Sequence, residues 1–88
     1  MLAVLEALRG GSTDVAVSVL REDVVWLAAG RRIEGFDAVM EALAALSAEG
    51  LEWGEPQQQG AHAVLRHPDG GLVVETRRGV IVLAVALP

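Results

Sequence analysis

The side chains that could move protons at neutral pH in this chain are two histidines and one strand carboxylate. His62 and His67 are the only side chains whose reference pKa lies near neutrality. Glu75 is the one carboxylate inside a predicted strand, and burial in an apolar cavity would raise its pKa and suit it to general acid–base catalysis. His62 and Glu75 are therefore the candidate catalytic residues. The alternative is a solvent-facing Glu75 that lies beside Arg77 or pairs across to Arg66.

The positions of the histidines, the lack of cysteine and the sequences around the glycine pairs all disfavour a metal or cofactor site. His62 and His67 lie five positions apart on or beside one predicted strand, so their side chains should point to opposite faces. No cysteine is present to supply a thiolate ligand. The glycine pairs at 10–11 and 70–71 lack the lysine and hydroxyl residue of a phosphate-binding loop. We expect neither a metal nor a cofactor.

The amount of apolar sequence is large for the length of the chain. The 88 residues suffice for one domain spanning 1–88, and 52% of them are hydrophobic. A domain of this size has a thin core, so some of this apolar surface should line a cavity or lie on an exposed face. The composition therefore favours a pocket for a small apolar ligand, a homodimer, or both.

Charge and hydropathy disfavour two other partner classes. The net charge is −5, with twelve acidic residues, seven arginines and no lysine, so the basic footprint of a nucleic-acid-binding protein is missing. The longest apolar run spans eight residues, 80–87, whereas a membrane helix needs about 20. The N-terminus does not resemble an export signal. We expect a cytoplasmic protein that binds neither nucleic acid nor membrane.

Hydrophobic spacing predicts three helices. The first spans 1–9 and the second 15–21, although the β-branched residues of the second make a strand the competing interpretation. The third opens after Gly35, carries apolar residues at helical spacing and ends at Gly50.

The remaining elements are predicted as strands. The continuous apolar run 24–27 is typical of a strand covered on both faces, and 32–34 returns beside it as a short hairpin. Four more strands are predicted over 51–58, 61–67, 72–77 and 80–87, with turns at 57–60 and 68–71. The order is helix, helix, hairpin, helix and a four-stranded meander, which indicates an α+β fold with helices on one face of an antiparallel sheet.

Two short segments carry a resemblance to a known superfamily. Asp23-Val24-Val25-Trp26 is followed by Gly30 and then by Ile33-Glu34-Gly35-Phe36-Asp37-Ala38-Val39, about fifteen residues in all. This pattern and the element order resemble the nuclear-transport-factor-2-like (NTF2-like) superfamily, particularly its small bacterial polyketide-cyclase-like (SnoaL-like) proteins. The resemblance implies a cone-like NTF2/cystatin-like fold, with three helices packed on a curved antiparallel sheet. Many activities share this pattern.

The resemblance also directs attention to a pocket. Relatives project an aromatic side chain into the cavity at the position of Trp26, with core filling as the alternative role. Trp53 could line the same pocket or lie on a dimer face. The predicted pocket wall consists of Trp26, Val39, Leu43, Trp53 and Val74.

The catalytic residues of isomerase-like relatives have no counterpart here. Those relatives carry an acidic base just after the first strand, where this chain has Leu27 and Ala28, and a tyrosine, which this chain lacks. The sequence therefore favours a domain that binds a small apolar molecule. The alternatives are an isomerase, dehydratase or cyclase that uses Glu75 or His62, and a noncatalytic module that forms homodimers through its sheet face.

Overall fold

A computed structural model describes residues 2–87, so Met1 and Pro88, which the predicted elements and domain included, lie outside the described residues. Three helices and six strands follow one another within that range, in the predicted order. They are α1 (Leu2–Arg9), α2 (Asp14–Val17), β1 (Leu20–Ala28), β2 (Arg31–Glu34), α3 (Phe36–Ser47), β3 (Gln57–Gln59), β4 (His62–His67), β5 (Gly70–Arg77) and β6 (Val80–Leu87).

The six strands form one sheet in the order β2-β1-β6-β5-β4-β3. Strands β3 to β6 form the predicted meander, and β1 and β2 form the predicted hairpin. The prediction of an antiparallel sheet is wrong at one junction, because β1 and β6 run parallel and make the sheet mixed. Hairpins impose antiparallel pairing only on strands that follow each other closely, whereas β1 and β6 meet across most of the chain.

Two register shifts bend this sheet. One falls between Leu20 and Val25 in the β1–β6 pair, and the other falls between Glu75 and Thr76 in the β5–β6 pair. Bulges of this kind increase the local twist and turn the bulged strand. The sheet is accordingly curved, as predicted.

The helices cover one face of the sheet, which we call the inner face, and the core lies between them. Leu5 of α1 and the α3 pair Val39 and Leu43 are at most 1% exposed. The α3 pair is spaced four residues apart, which places both side chains on one side of the helix. They pack into a buried cluster whose sheet members include Val24, Trp26, Ala63, Leu65, Leu72, Val74, Ile81 and Ala84.

Three predicted boundaries are wrong. The second helix ends at Val17, and residues 20 and 21 belong to β1. The Ile81 amide donates to the Val19 carbonyl at 2.7 Å, which draws the chain to β6 at this point. Of the strand predicted over 51–58, only its end at Gln57–Gln59 is a strand, and these residues pair with β4 where a turn was expected. The first part of the predicted strand, residues 51–56, forms no β-ladder pairs.

The run 24–27 is the third case. It belongs to a longer strand, and only Val24 and Trp26 point into the core. Val25 and Leu27 lie on the opposite face, where both are partly exposed. A continuous apolar run cannot by itself distinguish two buried faces from one buried face and one open face.

An ion pair on β1 yields a pH-dependent prediction. Arg21 Nε donates to a carboxylate oxygen of Asp23, two residues along the same strand. This hydrogen bond holds the pKa of Asp23 below its ordinary value of 3.8. A lowered folded-state pKa stabilises the fold above the unfolded-state pKa, and that stabilisation is lost as the pH falls through the folded-state pKa.

We therefore expect an NMR titration of the Asp23 carboxyl carbon to give a pKa below 3.8, and Arg21→Gln to raise it. The matched control is Arg32→Gln, which removes another same-strand arginine–carboxylate pair, Arg32 with Glu34 at 2.7 Å. The control should leave the Asp23 titration unchanged. An equal shift in both variants would contradict the assignment of the effect to Arg21.

Candidate functional site

An open groove lies between α3 and the β1–β2 hairpin on the inner face of the sheet. Its floor contains Trp26 and Ile33, which are cross-strand partners in the β1–β2 register. Its volume is about 550 Å³. We call it the α3–β2 groove, and the residues that line it are Trp26, Arg31, Ile33, Ala38, Glu41, Ala42, Ala45, Leu46 and Glu49.

The side chains of α3 explain why this space is open. Val39 and Leu43 direct one side of the helix into the core. Ala38, Ala42 and Ala45 follow at helical spacing beside them and line the groove wall. Methyl groups are too short to fill the gap between the helix and the hairpin, so a groove remains there.

The rim of the groove carries three charged side chains. Arg31 belongs to β2, while Glu41 and Glu49 belong to α3 and to the turn that follows it. All three residues are exposed. None of them takes part in the ion pairs formed among residues 2–87, so their charges are solvated and available to a ligand.

One of the five predicted pocket residues lines this groove. That residue is Trp26. Val39, Leu43 and Val74 are at most 1% exposed and belong to the buried cluster. Trp53 lies in the segment after α3, partly buried against the core, and its ring meets the His67 ring edge-on with centroids 4.8 Å apart.

Sequence reasoning missed most of the groove residues. The missed residues are Arg31, Ile33, Ala38, Glu41, Ala42, Ala45, Leu46 and Glu49. The sequence did contain one signal for these residues. Alanines repeat at helical spacing along the third helix, at positions 38, 42 and 45, beside the large apolar residues Val39 and Leu43. That signal indicates an open helix face without showing which element lies opposite.

The two candidate catalytic residues are neighbours, and they lie on the outer face of the sheet. His62 and Glu75 are cross-strand partners, with 3.6 Å between His62 Nε2 and Glu75 Oε1. Their side chains are 51% and 27% exposed, respectively. Trp26 and Val74 lie on the inner face, so the structure does not bring the His62–Glu75 pair and the groove together.

The surroundings of this pair match one predicted alternative. Arg77 Nε lies 3.9 Å from Glu75 Oε2, as expected for a same-face neighbour. The predicted alternative in which Glu75 pairs with Arg66 is wrong. Arg66 lies opposite Gly71 in the β4–β5 register, whereas Glu75 lies opposite His62. His67 lies on the inner face, so the prediction that the two histidines point to opposite faces is confirmed, and its Nδ1 accepts a hydrogen bond from the Asp69 amide at 3.3 Å.

The outer face of the sheet carries a continuous aliphatic surface. Val25, Leu83 and Glu75 lie side by side in one row, and Leu27, Val85, Val73 and Val64 form the next row. None of these side chains belongs to the buried cluster. Val64 is only 7% exposed, and the other aliphatic residues of the two rows are partly exposed. We call the six aliphatic residues Val25, Leu27, Val64, Val73, Leu83 and Val85 the outer apolar face.

Metal-binding clusters and membrane-spanning helices are both absent from the described part of the chain. Among residues 2–87, no group of three or more His, Cys, Asp or Glu side chains is arranged to hold a metal ion. Over the same range, no helix combines the length and the apolar character needed to cross a membrane.

Comparisons with known proteins identify the fold. No protein-family model matches the chain, and no curated protein matches it at a significant level. Among solved structures, an NTF2-like protein of unknown function from Mesorhizobium loti shares 15% identity, with a TM-score of 0.73 over 94% of this chain and 83% of that one. A protein from Kribbella flavida DSM 17836 with a provisional assignment as a ketosteroid isomerase shares 20% identity, with a TM-score of 0.64 over 97% and 72% of the two chains. A provisionally assigned polyketide cyclase from Sinorhizobium meliloti shares 19% identity, with a TM-score of 0.67 over 94% and 88%.

Similarity at these identities shows a shared fold. This chain therefore has the NTF2-like α+β fold, with helices packed on one face of a curved, mixed sheet, and the resemblance read from its sequence is confirmed at that level.

Proposed function

We propose that this NTF2-like chain is a small SnoaL-like domain that binds a small apolar molecule in the α3–β2 groove. The groove itself is the observation that carries the proposal. Its volume of about 550 Å³ falls within the range of roughly 300–1,000 Å³ typical of small-molecule sites. Its floor and helix wall are largely apolar, with a few charged groups at the rim.

The groove proposed here lies away from the pocket expected from the sequence. Val39, Leu43 and Val74 fill the centre of the cone-like, cystatin-like domain that the resemblance implies, whereas the groove lies at the side where β2 forms the sheet edge. A ligand in the groove would contact the Trp26 and Ile33 side chains and the α3 alanines.

A titration with 2-acetylnaphthalene, followed by backbone amide shifts, tests this proposal. We expect the largest shifts at Ile33, Ala38 and Ala42. The variant Ala42→Met should fill the groove and weaken binding about 10-fold or more, because the added side chain occupies the ligand volume.

The matched control is Ala44→Met, on the exposed side of the same helix. It makes the same chemical change outside the groove and should leave the affinity unchanged. Equal binding by the Ala42 and Ala44 variants, or amide shifts confined to another surface, would contradict the proposal.

A catalytic role is the alternative suggested by two of the similar structures, whose names denote an isomerase and a cyclase. An isomerase, dehydratase or cyclase built on this chain would use Glu75 or His62. Those side chains lie on the outer face, and a ligand beside Trp26 would be separated from them by the thickness of the sheet. This separation supports binding without catalysis.

A second proposal concerns the partner of the outer apolar face. We propose that two copies of the chain associate through this face, because six aliphatic side chains on adjacent strands form an apolar surface that the helices do not cover. A stable interface needs roughly 800 Å² from each partner. That is about a sixth of the 5057 Å² surface of this chain.

The charges at the margins of this face are compatible with a twofold dimer. At one margin Arg32 pairs with Glu34, and at the other Glu75 lies between His62 and Arg77. Each margin therefore contains both signs of charge, so a second copy brings no large patch of like charge against either one.

A further inference from the structure

Strand β2 is an edge strand of the described sheet, so one side of its backbone faces away from β1. The pairing with β1 shows which groups lie on that side. The Gly35 amide donates to the Val24 carbonyl at 2.9 Å, which makes these two residues a hydrogen-bonded pair. Bonded pairs alternate with non-bonded pairs along an antiparallel ladder, so the Ile33 backbone also bonds to β1. The N–H and C=O groups of Arg32 and Glu34 therefore point outward, where they can pair with another strand.

The side chains of Arg32 and Glu34 lie on the outer side of this edge. Arg32 is opposite Leu27 and Glu34 is opposite Val25 in the β1–β2 register, and both of these partners belong to the outer apolar face. Arg32 Nε and Glu34 Oε1 are 2.7 Å apart, and the two side chains are 63% and 61% exposed. Ile33 lies between them in the chain and packs on the inner side, partly buried against the core. The edge therefore presents a positive, an apolar and a negative residue in succession.

A second copy of β2 can pair antiparallel with this edge in three registers. Hydrogen bonding needs outward groups on both strands, so a bonded pair joins Arg32 with Arg32, Glu34 with Glu34, or Arg32 with Glu34 of the second copy. The first two registers place like charges directly opposite each other, which is destabilising. The third places opposite charges on both sides of a central pair, in which Ile33 meets Ile33 of the second copy. The charges therefore select one register.

Charged side chains on an edge strand usually prevent association with a second copy, because pairing brings like charges together. The two charges of β2 have opposite signs and lie symmetrically about Ile33. Reversal of the strand direction exchanges their positions, so each charge meets its opposite in the selected register. The edge is therefore self-complementary both in its backbone hydrogen bonds and in its charges.

The helices leave room for this pairing. An antiparallel pair centred on Ile33 has its twofold axis perpendicular to the sheet, so the inner faces of both copies lie on the same side. Helix α3 packs more on β1 than on β2. The β1 strands of the two copies would lie about 14 Å apart, which is three strand spacings of about 4.8 Å, whereas packed helices need only about 8–10 Å. The two α3 helices can therefore lie side by side without collision.

We propose that β2 is a self-association edge, through which two copies of the six-stranded sheet join into one continuous sheet with Arg32 opposite Glu34 of the second copy. The contact involves four residues from each copy, so it is far smaller than a stable interface. We expect a dissociation constant of about 1 mM. The surface differs from the outer apolar face, so a dimer formed through that face can join further copies through β2.

The test uses two charge variants in the Val85→Lys background, which removes association through the outer apolar face. Arg32→Glu makes both edge charges negative, and Glu34→Arg makes both positive. Each variant alone should fail to self-associate at about 1 mM, because like charges then meet in every register. An equimolar mixture of the two should associate as tightly as the parent chain, since each bonded pair again joins an arginine and a glutamate.

Translational diffusion, measured by NMR at about 0.15 M salt, reports the association while long-range repulsion is screened. Amide shifts that depend on concentration should centre on Arg32 and Glu34. In a mixture of isotope-labelled and unlabelled parent chains, a nuclear Overhauser effect should join the Ile33 methyl groups of two copies. The control is Arg78→Glu, in the exposed turn between β5 and β6, which changes the net charge as Arg32→Glu does. It should associate like the parent.

Each result bears on this inference separately from the other proposals. A parent chain that diffuses as a monomer at about 2 mM would overturn the self-association edge. Self-association of either charge variant at the strength of the parent would overturn it as well. If the parent associates and the mixture does not, the register is wrong. None of these results concerns the α3–β2 groove, and sedimentation of the wild-type chain at micromolar concentration decides the outer-face dimer independently.

Discussion

Val85→Lys is expected to convert a dimeric chain into a monomer. Val85 lies in the middle of the outer apolar face, between Val73 on β5 and Leu27 on β1. A twofold axis through this face would bring two lysine ammonium groups into one apolar interface. An unpaired charge buried there should cost at least about 2.7 kcal/mol, which weakens the dimer about 100-fold or more.

Sedimentation analysis at micromolar concentration measures this effect. We expect the wild-type chain to sediment as a dimer and the variant as a folded monomer, because Val85 is partly exposed in the single chain. The matched control is Val17→Lys on α2, where the residue is 51% exposed and away from the sheet. The control should remain a dimer.

Two results would contradict the proposed interface. A wild-type chain that stays monomeric at about 100 μM would rule out the proposed dimer, since a stable interface of standard size has a dissociation constant below this concentration. A Val85→Lys variant that stays dimeric would place the interface on another surface.

Leu43→Ala is expected to lower the free energy of unfolding by about 2–5 kcal/mol. Leu43 is 1% exposed and projects from α3 into the buried cluster between the helices and the sheet. Its removal leaves a cavity that the surrounding strands cannot fully close, so the loss exceeds the transfer free energy of the missing atoms. Urea unfolding, followed by far-UV circular dichroism, gives the difference.

The same substitution at Leu87 is the control, because Leu87 is 46% exposed at the end of β6. Leu87→Ala should cost less than about 1 kcal/mol, since little apolar surface is withdrawn from water there. The comparison also decides the role of Leu43 in the pocket predicted from the sequence. If Leu43→Ala costs no more than the control and strengthens ligand binding, Leu43 lines a cavity instead of filling the core.

The binding and dimer proposals concern opposite faces of one sheet. Trp26 faces α3, while its chain neighbours Val25 and Leu27 face the outer side. Alternation along one strand therefore supplies both surfaces, because successive side chains of a strand point in opposite directions. A variant on one face should leave the other function intact, so the two proposals can be tested independently.

The sequence alone was sufficient for the element order and the superfamily fold. Helical spacing identified α3, and glycine at position 35 marked its start because the backbone there has a φ of 100°, a conformation that favours glycine. Period-two alternation and a proline-glycine turn identified β4 and β5, and the eight-residue apolar run 80–87 identified β6. These signals are local, so each can be read from a few neighbouring residues.

Elements whose form depends on distant partners were predicted less well. The β-branched segment 15–21 divides between a short helix and a strand, and β6 pairs parallel with β1 from the other end of the chain. Propensity is a weak guide where a long-range hydrogen bond, such as that from Ile81 to Val19, decides the outcome.

The candidate site is the part that only the tertiary structure decided. The sequence identified Trp26, but it could not place the α3 alanines opposite Ile33 or show that His62 and Glu75 lie together on the other face. Alternation and helical spacing determine which residues share a face of one element. They do not determine which face of another element packs against it. That pairing depends on strand register and on the crossing of α3 over the sheet, because a groove is a property of the space between two elements.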